Sequence, residues 1–181
     1  MPQCWKDLVK HSDSGLLRLV IVDTCLGWMG VVGSPDELRQ VIPPQQSKEA
    51  VLLRVSGNYH LIEETDGAPF GDLLQRLRCY LAGEVVEFPE KLDVRDATVF
   101  QQDVWGITRT IPYGETRSYG WVSSQLGYEG RAARAVGQAL GRNPLLIVIP
   151  CHRVVSMGGG LGGFSAGLEL KRYLLRLESV T

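Results

Sequence analysis

The chain has few long apolar stretches, few cysteines and histidines, and little net charge. No run approaches the roughly 18 apolar residues that a membrane span requires, and the opening MPQCWKDLVKHSDSG lacks the apolar core of a secretory leader. An intracellular protein is therefore expected, with no membrane partner: cytoplasmic, or nuclear if the source cell has a nucleus. Four cysteines in 181 residues, at Cys4, Cys25, Cys79 and Cys151, are too scattered for a disulfide framework, which fits a reducing compartment. Neither CxxC nor HxxxH spacing occurs. Cys4 and Cys25 with His11 and His60 could form a zinc site only from distant parts of the chain, so no metal or other cofactor is assigned. The glycine cluster SMGGGLGGFSAG, residues 156–167, lacks the GxxxxGK[ST] pattern of a phosphate loop and reads as a loop lining a site.

What is present is unevenly distributed. The net charge of −1 hides ten Lys/Arg against fifteen Asp/Glu in residues 1–98, and nine against five in residues 99–181. The first part therefore carries −5 and the second +4, so a polyanionic partner would meet the second.

The first half reads as mixed α/β. LLRLVIV and LGWMGVV flank a short DTC turn and predict a strand pair. SPDELRQVI predicts a helix capped by Ser34, with Pro35 at its first position. Residues 50–64 fit helix or strand. In GDLLQRLRCYLAG, Leu73, Leu74, Leu77 and Leu81 recur at helical spacing and Gly83 supplies a stop. VVEFPEKLDVRDAT, residues 85–98, reads as a linker, so the domains are expected at 1–95 and 99–181.

The second half is mainly helical. FQQDVWGITRTI ends at the turn IPYGET, SYGWVSSQL stops at Gly127, and RAARAVGQAL follows. Two short helices around a glycine turn match a helix-turn-helix. Arg131 and Arg134 open the second of these helices. Its alanines either let it approach a groove closely, with Arg134 reaching beyond them, or simply pack on a core beneath solvated arginines.

The run LLIVIPCHRVV, residues 145–155, places Cys151 and His152 where a buried strand is expected to end at Pro150. A buried cysteine is ordinarily an apolar filler. Here the adjacent imidazole, the proline and the glycine loop point instead to an activated nucleophile. Neighbouring side chains in extended backbone diverge, so contact between thiol and imidazole is expected through a water. A carboxylate should back the imidazole, and Glu178 in LKRYLLRLE is one candidate.

IPCHRVV resembles the acceptor motif of the O6-alkylguanine-DNA alkyltransferases. FQQDVW, IPYGETRSYG, RAARAVGQAL, GRNP, GGFSAGL and KRYLLRLE follow that family's order over about residues 99–179. The resemblance implies a small N-terminal ribonuclease-H-like α/β domain, followed by a mainly helical domain with a helix-turn-helix. It implies alkyl transfer from O6-alkylguanine in double-stranded DNA, and less efficiently from O4-alkylthymine, irreversibly to Cys151. The reaction would be single-turnover, without cofactor, in a monomer bound through the minor groove. His152 would activate the thiol through a water, Glu178 would orient His152, and Asn143 would tie the surrounding turns. Tyr119 would crowd a phosphate and protonate the leaving O6. Gly120 and Gln101 would join Tyr119 and Arg134 on DNA, with Arg134 filling the place of the rotated nucleotide. Val154, Phe164 and Ser165 would line the pocket.

The sequence departs from the family pattern at Phe164, where Tyr is commoner, and at Ala166. Three rivals differ in chemistry. An alkyltransferase-like binding protein would lack the acceptor that Cys151 supplies. A cysteine hydrolase would turn over repeatedly, and a helix-turn-helix regulator would leave PCHRV without a purpose.

Overall fold

The computed structural model describes residues 17–55, 57–62 and 69–179. The chain divides into two compact units between Arg95 and Asp96. The expected classes are found: a small α/β unit, then a mainly helical one containing a helix-turn-helix.

In the first unit β1 (Leu17–Thr24) and β2 (Gly27–Gly33) form the predicted antiparallel pair, closed by Gly27 at φ +112. β3 (Leu38–Gln45) adds antiparallel to β2, and β4 (Tyr59–Ile62) adds parallel to β1, giving the order β3-β2-β1-β4. Adjacent residues Leu19 and Val20 are both fully buried, and successive strand side chains face opposite ways, so both faces of β1 are covered. One face packs Leu19, Val32 and Ile42 against Val51 of α1 (Lys48–Leu52). Gly30 permits this approach, because a Cβ there would lie 2.6 Å from Val51 Cγ1. The predicted amphipathic helix is α2 (Gly71–Leu81), which buries Leu73, Leu74, Leu77, Tyr80 and Leu81 and contacts β1. Each such leucine contributes about 1.5–3 kcal/mol.

Two expectations for this unit fail. The segment SPDELRQVI is not a helix: Ser34 Oγ accepts from the amides of Asp36 and Glu37, but the chain then extends as β3. Pro43 and Pro44 cannot continue a helix yet are tolerated on an edge strand. Residues 85–98 are not a free linker either. The Leu38 amide donates to Lys91 O and the Asp93 amide to Leu38 O, both at 2.8 Å, and Leu92 and Val94 are buried. Asp93 is held by Arg39 at 2.8 Å and Arg95 at 2.7 Å. Burial alone would raise its pKa, but these two guanidiniums outweigh that and lower it.

The second unit opens with α3 (Val99–Arg109), where Thr98 and Gln101 form a capping box, worth about 1 kcal/mol. Trp105 Nε1 donates to Ala139 O at 3.0 Å, tying α3 to α5 (Ala133–Gly141). The helix-turn-helix is α4 (Tyr119–Gln125) and α5, joined through Gly127 and Gly130, both at positive φ. Ala132 caps α5, so Arg131 precedes the helix and Arg134 is its second residue. A two-stranded parallel ribbon pairs β5 (Arg117–Ser118) with β6 (Val154–Val155), and α6 (Leu168–Glu178) ends the unit. No helix among the described residues is long and apolar enough to cross a membrane.

Candidate active site

LLIVIP does not form the expected strand. Residues 145–149 fold into a tight buried turn in which the Ile149 amide donates to Leu145 O at 2.8 Å and Ile147 takes φ +75. That conformation is strained for a β-branched residue and persists only where surroundings enforce it. Asn143 does the enforcing. Its Oδ1 accepts from the Leu145 amide at 2.9 Å, and its Nδ2 donates to Ile149 O at 3.0 Å and to Cys151 Sγ at 3.2 Å. One amide thus holds both the turn and the sulfur.

Cys151, His152 and Arg153 form a short 3-10 helix rather than extended backbone. Cys151 is 4% exposed and His152 fully buried. His152 Nε2 lies 2.9 Å from Glu178 Oε1, which identifies the carboxylate that spacing left open. An acceptor there selects the Nε2–H tautomer and leaves the acceptor lone pair on Nδ1. Glu178, 2% exposed, also takes Arg153 Nε and Nη2 at 2.9 Å each and the Gly114 amide at 3.3 Å. Arg153 Nη1 further donates to Ile111 O at 2.7 Å.

Burial pushes the Cys151 thiol up to about 11, against the Asn143 amide, the Lys171 charge and the amides of Cys151 and His152. Burial also pushes His152 below its ordinary value, against the pull of Glu178. At neutral pH the resting pair is therefore thiol and neutral imidazole.

Tyr119 begins α4 and is partly buried; its hydroxyl donates to Gly163 O at 3.3 Å. Its ring backs on glycine, since a Cβ on Gly162 would fall 2.5 Å from Tyr119 Oη. Burial raises the pKa of the phenol, against the hydrogen bond to Gly163. Val154 is fully buried, Phe164 partly buried and Ser165 exposed.

Arg134 is exposed, with no ion pair among the described residues. Gly120 lies in the first turn of α4, where a Cβ would meet only Ser118 Oγ at 3.6 Å. Gln101 Oε1 accepts from the Thr98 amide at 2.8 Å, a capping role that sequence reading overlooked.

Sequence reading also missed Arg153 and Lys171. Arg153 directly follows His152 in the motif. Lys171, the only lysine after Lys91, falls on the buried stripe of α6 with Leu174 and Glu178. Cys25 is exposed, with its thiol 3.6 Å from Leu81 O. Cys4 and His11 lie outside the described residues, among which no group of three potential ligands could hold a metal ion.

The family model described as 6-O-methylguanine DNA methyltransferase, DNA binding domain, matches residues 99–180. A methylated-DNA–protein-cysteine methyltransferase of Mycobacterium tuberculosis is 51% identical over 113 residues, covering 62% of this chain and 67% of that protein. The Salmonella typhimurium protein of the same name is 36% identical over 167 residues, covering 90% and 97%. Among solved structures, that of Mycobacterium tuberculosis OGT in complex with DNA superposes with a TM-score of 0.75 at 40% identity, covering 90% of this chain and 92% of that one. The O6-methylguanine-DNA methyltransferase of Pyrococcus kodakaraensis gives 0.68 at 25% identity, covering 91% and 100%.

Proposed function

The chain belongs to the methylated-DNA–protein-cysteine methyltransferase family, and on that premise we propose that Cys151 accepts an alkyl group from O6-alkylguanine in double-stranded DNA. The observation that carries this reading is the buried Cys151 sulfur, held by Asn143 beside the His152–Glu178 pair.

The O6 carbon of a stacked base is out of reach, so the nucleotide rotates out of the helix at a cost of a few kcal/mol. The α5 helix enters the minor groove with small Ala133 and Ala135 leading. Exposed Arg134 fills the vacated stack, an inserted side chain of the kind that offsets unstacking. Tyr119 and Gly120 meet the phosphate backbone at the start of α4, and Gln101 approaches it from the start of α3. The purine enters beside Val154, Phe164 and Ser165.

In the transfer step, sulfur bonds to the alkyl carbon as the carbon–O6 bond breaks. The thiol proton passes through a water to His152 Nδ1, and Glu178, itself held by Arg153, stabilises the imidazolium through the far nitrogen. Tyr119 leaves Gly163 O and gives its proton to O6 as the carbon–O6 bond breaks, so guanine departs uncharged, and the tyrosinate regains a proton as the His152 imidazolium gives up the one it took from the thiol. The thioether has no route back to a thiol, and one molecule repairs one lesion. O4-alkylthymine presents the same carbon–oxygen bond on a smaller ring and reacts less efficiently. No cofactor enters, and the protein acts as a cytoplasmic monomer.

Intact-mass measurement tests the reading. With DNA carrying O6-methylguanine, each chain should gain one methyl group, on Cys151, and Cys151→Ala should gain none. Repeated turnover would instead identify a hydrolase, and binding without mass gain a regulator.

A further inference from the structure

Glu178 is the last residue of α6. The closing carbonyls of a helix have no partner within it, and its final turn frays readily. A carboxylate that must stay on His152 Nε2 therefore needs an anchor from outside α6. The turn after α3 supplies it. Tyr113 Oη donates to Leu177 O at 3.2 Å, satisfying one of those carbonyls, and the Gly114 amide donates to Glu178 Oε2 at 3.3 Å. Gly114 takes φ +77, and a Cβ there would lie 3.1 Å from Glu178 O, so the turn passes directly over the helix end.

The same turn also grips the cation that holds the carboxylate. Arg153 donates to both Glu178 oxygens; its Nη1 donates to Ile111 O at 2.7 Å, and its guanidinium carbon lies 5.8 Å from the Tyr113 ring centroid, within cation–π range. One tyrosine thus touches the helix end through its hydroxyl and the guanidinium through its ring.

We propose that Tyr113 is a positioning residue for the transfer reaction: its hydroxyl anchors the last turn of α6 and its ring braces Arg153, so that Glu178 stays on His152 and the imidazole keeps the basicity needed to take the thiol proton. This rests on Cys151 being the alkyl acceptor. The charged groups acting on His152 are Glu178 and Lys171 from α6 and Arg153 from its own 3-10 helix. Behind them Tyr113 faces Glu178 and Arg153, and on the thiol side Tyr119 of α4 faces Cys151. Burial, Arg153 and Lys171 make the imidazole less basic, and Glu178 opposes them.

Transfer needs neutral His152, so the rate falls in acid where the imidazole protonates, below about pH 6.5. Loosening Glu178 weakens the influence that raises this pKa. The acid inflection should then move to lower pH, and the plateau rate should drop because a weaker base takes the thiol proton. A tyrosine that only stabilised the fold would lower the urea midpoint and leave the inflection in place.

Single-turnover methyl transfer from saturating O6-methylguanine duplex, followed by intact mass from about pH 5 to 8, reads both effects. Tyr113→Phe, which keeps the ring over Arg153, should slow the plateau about threefold and lower the inflection by about half a pH unit. Tyr113→Leu, which loses both contacts, should slow it about tenfold and lower the inflection by about one pH unit. A Phe variant with the wild-type rate and inflection, or slower variants whose inflection does not move, overturns the proposal, as does a wild-type rate that stays flat down to about pH 5. The Phe variant differs by a single hydroxyl on a partly exposed side chain, so it decides the matter even if the Leu variant fails to fold. Absence of methyl uptake by the wild type would sink the acceptor reading. Uptake with an unmoved inflection in the variants would sink the tyrosine inference alone.

Discussion

Asn143 and Cys151 are joined by a 3.2 Å hydrogen bond from Nδ2 to Sγ, and the same nitrogen grips Ile149 O at 3.0 Å. The residue that holds the strained turn at Ile147 also orients the Cys151 thiol. Loss of Asn143 should therefore be felt in stability and in chemistry together.

Asn143→Ala removes three buried hydrogen bonds and leaves their partners unsatisfied. It should destabilise the protein by about 2–4 kcal/mol, read as a lower urea midpoint with unchanged slope. Methyl transfer should slow even where the variant is fully folded. An unaltered transfer rate would separate the turn from the thiol.

Glu178→Gln keeps the shape but leaves Arg153 facing a neutral amide and His152 without its carboxylate. Breaking a buried pair typically costs about 3–5 kcal/mol, and loss of a positioned base slows transfer about 100-fold or more. Single-turnover transfer from an O6-methylguanine oligonucleotide reads the second effect. A rate within a factor of two of the wild type would remove the pair from the mechanism.

Arg134→Ala should impair transfer from duplex DNA far more than reaction with free O6-benzylguanine, because only the duplex needs a nucleotide rotated out. The exposed side chain predicts little change in melting temperature. Equal losses with both substrates would refute the stacking role.

Acid should destabilise the protein in two stages. His152 has a folded pKa below its unfolded value, so its contribution is present above about pH 6.5 and is lost as pH falls below that. Asp93 is likewise lowered; its contribution is present above about pH 3.9 and is lost as pH falls through the folded value. In Asp93→Asn, urea midpoints should lack the lower stage and keep the upper one. A variant retaining both stages would contradict the assignment to Asp93.

Gly30→Ala tests the first unit. The added Cβ would lie 2.6 Å from Val51 Cγ1 and 2.8 Å from Ile42 Cδ1. Overpacking of this kind costs about 1–3 kcal/mol, measurable as a lower melting temperature. Gly71→Ala, with nothing within 4 Å of the added atom, is the matched control.

Some of this molecule was legible in order of residues. Leu73, Leu74, Leu77 and Leu81 recur with the period of α2, Gly83 and Gly127 stop their helices, and the DTC turn separates β1 from β2, because each signal acts within a few residues of itself. The adjacency of Cys151 and His152 is likewise covalent, and the ordered motifs around it already resembled the family. Other features required the folded chain. β3 is a strand because β2 offers it an edge, and residues 91–93 pair with it because Leu38 is there to receive them. LLIVIP is apolar enough for a strand, but Asn143 bends it. Glu178 becomes the partner of His152, and Lys171 becomes a buried cation, only when α6 lays its stripe against residues 151–154. Local periodicity and chain order come from backbone geometry, which a sequence carries in itself. Burial, pairing and the shift of a proton's affinity depend on residues brought together from far along the chain, and those only tertiary packing selects.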